Sequence, residues 1–104
     1  MASTPEAKVK KQIRAILDEY GAYYAMPIGS GYGNSGVPDF LVCYKGWFIG
    51  IEAKAGQGKV TALQEFNLNK IAKAGGVTLV INEVNMMRIT DLLNTLQNLE
   101  DFKK

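Results

Sequence analysis

The sequence contains no histidine and a single cysteine, Cys43. The first absence removes imidazole metal ligands and histidine acid–base chemistry. The second removes a disulfide framework and a cysteine-based zinc site. A reducing, intracellular setting is the expectation, and Cys43 is read as a small buried hydrophobe. No apolar run reaches the ~18 residues of a membrane span, and no signal-peptide apolar region is evident. Excess charge is also scarce. Twelve Lys and Arg against ten Asp and Glu leave a formal charge of +2, a weak pointer to a polyanionic partner.

What is present is a chain of 104 residues, 47% of them apolar, with five Tyr, four Phe and one Trp. That describes one folded domain over residues 1–104, without repeat or linker. A chain this short buries about 60–65% of its extended surface, so oligomerisation is a natural way to stabilise it.

Ser3-Thr4-Pro5-Glu6 reads as a helix start. Ser3 or Thr4 caps, Pro5 fits the first turn, and Glu6 completes a Ser-x-x-Glu capping box. Val9, Ile13, Ile16, Leu17 and Tyr20 then form one stripe of a helix that Gly21 ends. Lys8, Lys10, Lys11 and Arg14 crowd this helix, as a solvated face or as an electrostatic footprint. Ala22 to Met26 is a short strand or an extended entry to a sheet. Pro27 to Gly36 is a glycine-rich loop without the Gly-Lys-Ser/Thr ending of a nucleotide-binding loop.

Two strands follow, joined by a turn at Lys45-Gly46. In the first, Phe40, Val42 and Tyr44 point one way and Asp39, Leu41 and Cys43 the other. The second, Trp47 to Lys54, is nearly all apolar and reads as a central strand covered on both faces. After the loop Ala55 to Lys59, Thr61-x-x-Gln64 caps a second helix to about Ala74, with Gln64, Leu68 and Ile71 on one stripe. Gly75-Gly76 ends it, and Val77 to Ile81 is another strand. A last helix is expected from Thr90 to Leu99, with Leu92, Leu93, Leu96 and Leu99 as its apolar positions and Phe102 and the closing lysines frayed. The order predicts an α/β fold with a small mixed β-sheet flanked by helices. The link from Lys54 to Val77 is long enough for a right-handed crossover.

Glu52 and Lys54, two apart on a strand, leave the same face roughly 6–7 Å apart. With Asp39 at the neighbouring end of the adjacent strand, two carboxylates meet, and one proton or one cation must resolve their repulsion. A hard divalent cation such as Mg²⁺ does so with oxygen ligands, to which the Ala53 carbonyl can add. Lys54 can orient an attacking water or stabilise charge growing on a phosphate.

These residues, Pro38-Asp39 followed thirteen residues after Asp39 by Glu52-Ala53-Lys54, resemble the motif of the PD-(D/E)xK nuclease superfamily. Within it the chain looks like the small virus-type replication-repair (VRR-NUC) nucleases, including stand-alone phage proteins. Glu6 matches a glutamate in the first turn of that family's first helix. Gly36-Val37-Pro38-Asp39 matches its Gly-x-Pro-Asp entry, and Gln64 a glutamine early in the helix after the lysine. The Gly75-Gly76 helix end and the apolar strand after it also fit, so the resemblance runs from Glu6 to Ile81.

The resemblance implies a restriction-endonuclease-like core and a Mg²⁺- or Mn²⁺-dependent DNA endonuclease, with water attack leaving a 5′-phosphate and a 3′-hydroxyl. Carried over, Asp39, Glu52 and the Ala53 carbonyl hold the metal, Lys54 positions the water or stabilises the transition state, Glu6 adds to the metal shell, and Gln64 orients Lys54, water or DNA. It also implies a homodimer cutting branched DNA such as four-way junctions, in the cytoplasm of a phage-infected or bacterial cell. Lys8, Lys10, Lys11, Arg14 and Lys59, with Ser30, Gly31, Tyr32 and Gly33 of the glycine-rich loop, are the expected DNA contacts.

Plainer readings stand beside these. Asp39 can cap a strand entry, Glu52 and Lys54 can form a simple salt bridge, and Glu6 and Gln64 can be helix caps. Trp47, Tyr23 and Tyr24 suit a core or interface better than a base-stacking platform. Functional alternatives are a nickase or single-strand-selective nuclease with the same site, a catalytically silent DNA-binding module, and a small protein-interaction domain.

Overall fold

Helix α1 spans Pro5–Tyr20 in the computed structural model, which describes residues 3–28 and 36–103. Thr4 is its cap: the Ala7 N–H donates to Thr4 Oγ1 at 3.1 Å. Glu6 therefore stands one position too early for the reciprocal bond of a capping box, and the box expected from Ser3 does not form. Gly21, at φ 72°, closes the helix in the left-handed region and donates its N–H to the Asp18 carbonyl, a conformation that a side chain would strain.

The sheet has the order β1-β2-β3-β4, with β1 Tyr23–Ala25, β2 Phe40–Tyr44, β3 Trp47–Ala53 and β4 Val77–Ile81. β1–β2 and β2–β3 pair antiparallel, while β3–β4 pair parallel. The β2–β3 turn has positive φ at both Lys45 (51°) and Gly46 (83°), the two-residue hairpin geometry that matches strand twist. It sets the register Tyr44↔Trp47, Val42↔Ile49 and Phe40↔Ile51.

Helix α2 spans Ala62–Lys73 behind a capping box in which Thr61 and Gln64 bond each other's backbone N–H. Helix α3 spans Met87–Lys103. It begins earlier and ends later than its leucines suggest. Ile89, fully buried, extends the Leu93–Leu96 stripe back by one turn, and the Gln97 amide donates to Asp101 Oδ1 at 3.0 Å across the expected end at Leu99. Leu99 is largely exposed and not a core position.

Strand alternation sorts the two faces of the sheet. Phe40, Val42, Tyr44, Ile49, Ile51, Ala53 and Ile81 meet Val9, Ile13 and Leu17 of α1 and Ile89, Leu93 and Leu96 of α3. Each large side chain buried there contributes about 1.5–3 kcal/mol. The opposite face carries Gly50, Glu52 and Leu41, and α2 covers its β3–β4 half: a β-carbon on Gly50 would lie 2.7 Å from Ile71 Cδ1. Among the described residues, the β1–β2 half of that face is open, and Cys43 is exposed there, not buried, because no described helix lies over its side of β2. Tyr23, its cross-strand neighbour, is also exposed, while Tyr24 and Trp47 pack against the core. No helix among the described residues is long and apolar enough to cross a membrane.

Candidate active site

The hairpin register places the chemistry. Phe40↔Ile51 is the last rung of the β2–β3 ladder, and one step further Asp39 faces Glu52. Cross-strand partners share a face, so both carboxylates emerge on the α2 side at the end of the sheet. Asp39 Oδ2 accepts the Ala53 N–H at 2.8 Å, which fixes one of its oxygens. Ala53 is fully buried, and the next N–H, that of Lys54, bonds the Ile81 carbonyl of β4.

Glu52 is the one charged residue in the interior among the described residues, only 2% exposed. Its Oε2 accepts a hydrogen bond from Gln64 Nε2 at 2.8 Å and stands 3.5 Å from Lys54 Nζ. Its Oε1 is buried with no hydrogen-bond partner among the described residues. Burial first, and the Asp39 charge second, push the Glu52 carboxyl up from 4.5 to about 7, against the pull of Lys54. A buried carboxylate with an orphaned oxygen is costly unless something satisfies it. A proton does so below neutrality, and a divalent cation does so without one.

Gln64 does two jobs with one amide. Its oxygen accepts the Thr61 N–H at 2.9 Å and its nitrogen donates to Glu52. Helix capping and support of the buried carboxylate are thus the same side chain, not competing explanations.

Lys10 is where the structure departs most from the reading of a basic patch. Its Nζ lies 3.3 Å from Asp39 Oδ1 and 3.7 Å from Glu6 Oε2. It joins the carboxylates instead of standing on the solvated face with Lys8 and Lys11; both of these and Arg14 are exposed. Glu6 reaches the site through this ammonium, and no three acidic, histidine or cysteine side chains converge into one cluster among the described residues. The i, i+4 spacing of Glu6 and Lys10 was the available signal for their pairing. Lys59 is exposed on the loop after β3. Ser30, Gly31, Tyr32 and Gly33 lie outside the described residues.

A second support went unnoticed in the sequence. Glu83 accepts the Gly56 N–H at 2.7 Å, tying the loop after β3 to the one after β4. Asn82 and Asn85 cross-bond through side chains and backbone, and Asn85 Nδ2 donates to the Val80 carbonyl. Asparagines three apart after a strand are the signal for such a turn.

Gly36 sets the approach to Asp39. It is buried, and a β-carbon there would lie 2.6 Å from the Leu63 carbonyl oxygen in the first turn of α2. Backbone cannot yield as a flexible side chain does. Gly36→Ala is therefore expected to destabilise the protein by about 1–3 kcal/mol. Chemical denaturation against the wild type measures this, and an unchanged midpoint would show that α2 can shift freely.

The β2–β3 hairpin and the helices α1 and α2 thus bring Asp39, Glu52, Lys54, Gln64 and Lys10 to one end of the sheet. The arrangement offers two carboxylates for a hard cation, an anchored ammonium beside them, and a partly exposed ammonium at the rim. Comparison with models of known protein families gives no match, and no curated protein matches the chain.

Proposed function

We propose that the protein is a divalent-metal-dependent DNA endonuclease. The observation that carries this reading is Glu52: a buried carboxylate with an oxygen that has no partner among the described residues, opposite Asp39 and beside Lys54. The donor set fits Mg²⁺ or Mn²⁺, with Asp39 and Glu52 as protein ligands, the Ala53 carbonyl adding an oxygen, and Glu6 joining through the shell. When bound, such a cation supplies charge neutralisation at a scissile phosphate and makes water more acidic.

The chain's own groups do the rest. Gln64 holds Glu52 in position. Lys54, its side chain only 13% exposed and its backbone bonded to the Ile81 carbonyl, directs an ammonium at the reacting phosphate or the attacking water. Lys8, Lys11, Arg14 and Lys59 are exposed cations for the DNA backbone, and such contacts position a duplex without reading its bases.

A domain of 104 residues has little surface with which to hold branched DNA. We therefore place it as a homodimer cutting four-way junctions or similar branches in the cytoplasm of a phage-infected or bacterial cell. The open apolar side chains Tyr23, Phe48, Leu63 and Phe66 favour burial against a second copy.

One observation favours a second reading. Lys10 and Lys54 already stand against Asp39 and Glu52, so the same residues can serve a DNA-binding module that does not cut. Incubation with a labelled four-way junction, nicked duplex, linear duplex and single strand, in Mg²⁺, Mn²⁺ or EDTA, separates the two. The expected result is metal-dependent, symmetric cutting of the junction. Preferential cutting of a single strand or of one duplex strand would replace junction selectivity with a single-strand or nicking activity. Binding with no cutting in either metal would replace the nuclease with the silent module.

A further inference from the structure

Lys10 is the side chain in this site that the hydrolytic reading leaves without a role. Its ammonium lies 3.3 Å from Asp39 Oδ1, while the other Asp39 oxygen is held by the Ala53 N–H. Of the two Glu52 oxygens, Oε2 is engaged by Gln64 and Lys54 and Oε1 has no partner among the described residues. Asp39 and Glu52 would hold a divalent cation between them, and Lys10 already stands against one of the Asp39 oxygens. An ammonium and a dication at one carboxylate oxygen repel each other at close range. One of them must leave.

The two lysines differ in their freedom to do so. Lys54 directly follows β3, bonds the Ile81 carbonyl through its N–H and has a side chain only 13% exposed, whereas the Lys10 side chain is 32% exposed on a surface helix and pairs with the Asp39 and Glu6 carboxylates. A flexible four-carbon stem lets a rim lysine swing while its helix stays in place. Arg14, one turn further along the same edge of α1, is exposed, so a phosphate chain passing the rim would meet both cations.

We propose, on the reading of the site as a metal-dependent nuclease, that Lys10 is an exchangeable counter-ion. It neutralises Asp39 in the metal-free protein, yields that carboxylate to the entering divalent cation, and then pairs with a phosphate of the DNA. Metal and DNA binding are coupled through this one side chain, and each favours the other.

The test uses the whole protein without turnover. Mn²⁺ is titrated calorimetrically into wild type, Lys10→Met and Lys73→Met, the last a control at the far end of α2. Lys10→Met is expected to bind Mn²⁺ about two- to fivefold more tightly, with the control unchanged. Binding of a short duplex is then followed by fluorescence anisotropy against salt. In Ca²⁺, Lys10→Met is expected to lower the salt slope by about one; in EDTA the slope should match that of wild type. Lysine ε-carbon resonances of the wild type are read as a measurement that needs no variant: the Lys10 signal should move on Mg²⁺ addition and the Lys73 signal should not. Mn²⁺ affinity that is equal or weaker in Lys10→Met, an equal slope change with and without Ca²⁺, or a static Lys10 signal overturns the counter-ion role and leaves the metal site standing. Failure of the wild type to bind Mn²⁺ at all overturns both.

Discussion

Lys54→Ala is expected to lower single-turnover DNA cleavage by about 10²–10³-fold, the usual cost of losing one charge-stabilising group at a reacting centre. The substitution acts in two ways that can be separated. On the proposed nuclease function, it removes an ammonium from the reacting phosphate. It also removes the positive charge 3.5 Å from Glu52, one of the influences holding that carboxyl down. Glu52 in the variant will keep its proton to higher pH and will bind metal less well near neutrality. Raising the pH deprotonates Glu52 in spite of the lost lysine, so metal affinity should recover towards wild type. Cleavage should not recover with it, because no change of pH restores the ammonium. Metal affinity and single-turnover rate measured in parallel from pH 6.5 to 9 decide the matter. If the rate returns together with metal binding, Lys54 acts only as a neighbour of Glu52. If cleavage at neutral pH equals that of wild type, Lys54 has no part in the reaction.

The hairpin of this site was legible because its geometry is local. A two-residue turn at Lys45-Gly46 with alternating side chains leaves one register for Asp39 and Glu52, and period two puts Lys54 on the same face. Gln64 was legible for the same reason, as the third residue after a capping threonine. Lys10 was not. Four cations in seven residues of α1 read as one patch, and only the packing of α1 against the sheet shows that Lys10 turns from Lys8 and Lys11 towards Asp39. The early start of α3 was hidden likewise: the turn at Asn82 and Asn85 carries no capping box, and burial of Ile89 decides where the helix begins. Cys43 failed for a third reason. Alternation says which face a residue takes but not whether a helix covers that face, and α2 stops short of β2. Local periodicity thus gave the strands and the acidic pair. Contacts between distant elements decided which charges meet them.

The metal-free protein is expected to lose stability as the pH rises, and the lack of histidine makes this readable. Unfolded, Glu52 releases its proton near 4.5; folded, it keeps it to about 7. Between these values the native state binds more protons than the unfolded state, so the unfolding free energy falls with pH. The favourable contribution is complete below 4.5 and gone once the pH has passed 7, a loss of about 3 kcal/mol at about 1.4 kcal/mol per pH unit. With no histidine in the chain, no other side chain of ordinary pKa titrates between pH 5 and 8. Urea unfolding in EDTA across that window should show the decline in wild type and a nearly level line in Glu52→Gln, whose amide carries no proton to lose. Mg²⁺ should reverse the trend in wild type. It binds the ionised carboxylate, so the stability it adds grows as the pH rises through 7. Glu52→Gln should gain little from Mg²⁺ at any pH. Parallel curves for the two proteins in EDTA would mean that Glu52 titrates as an ordinary carboxylate, and the case for a cation at its unpartnered oxygen would fall with it.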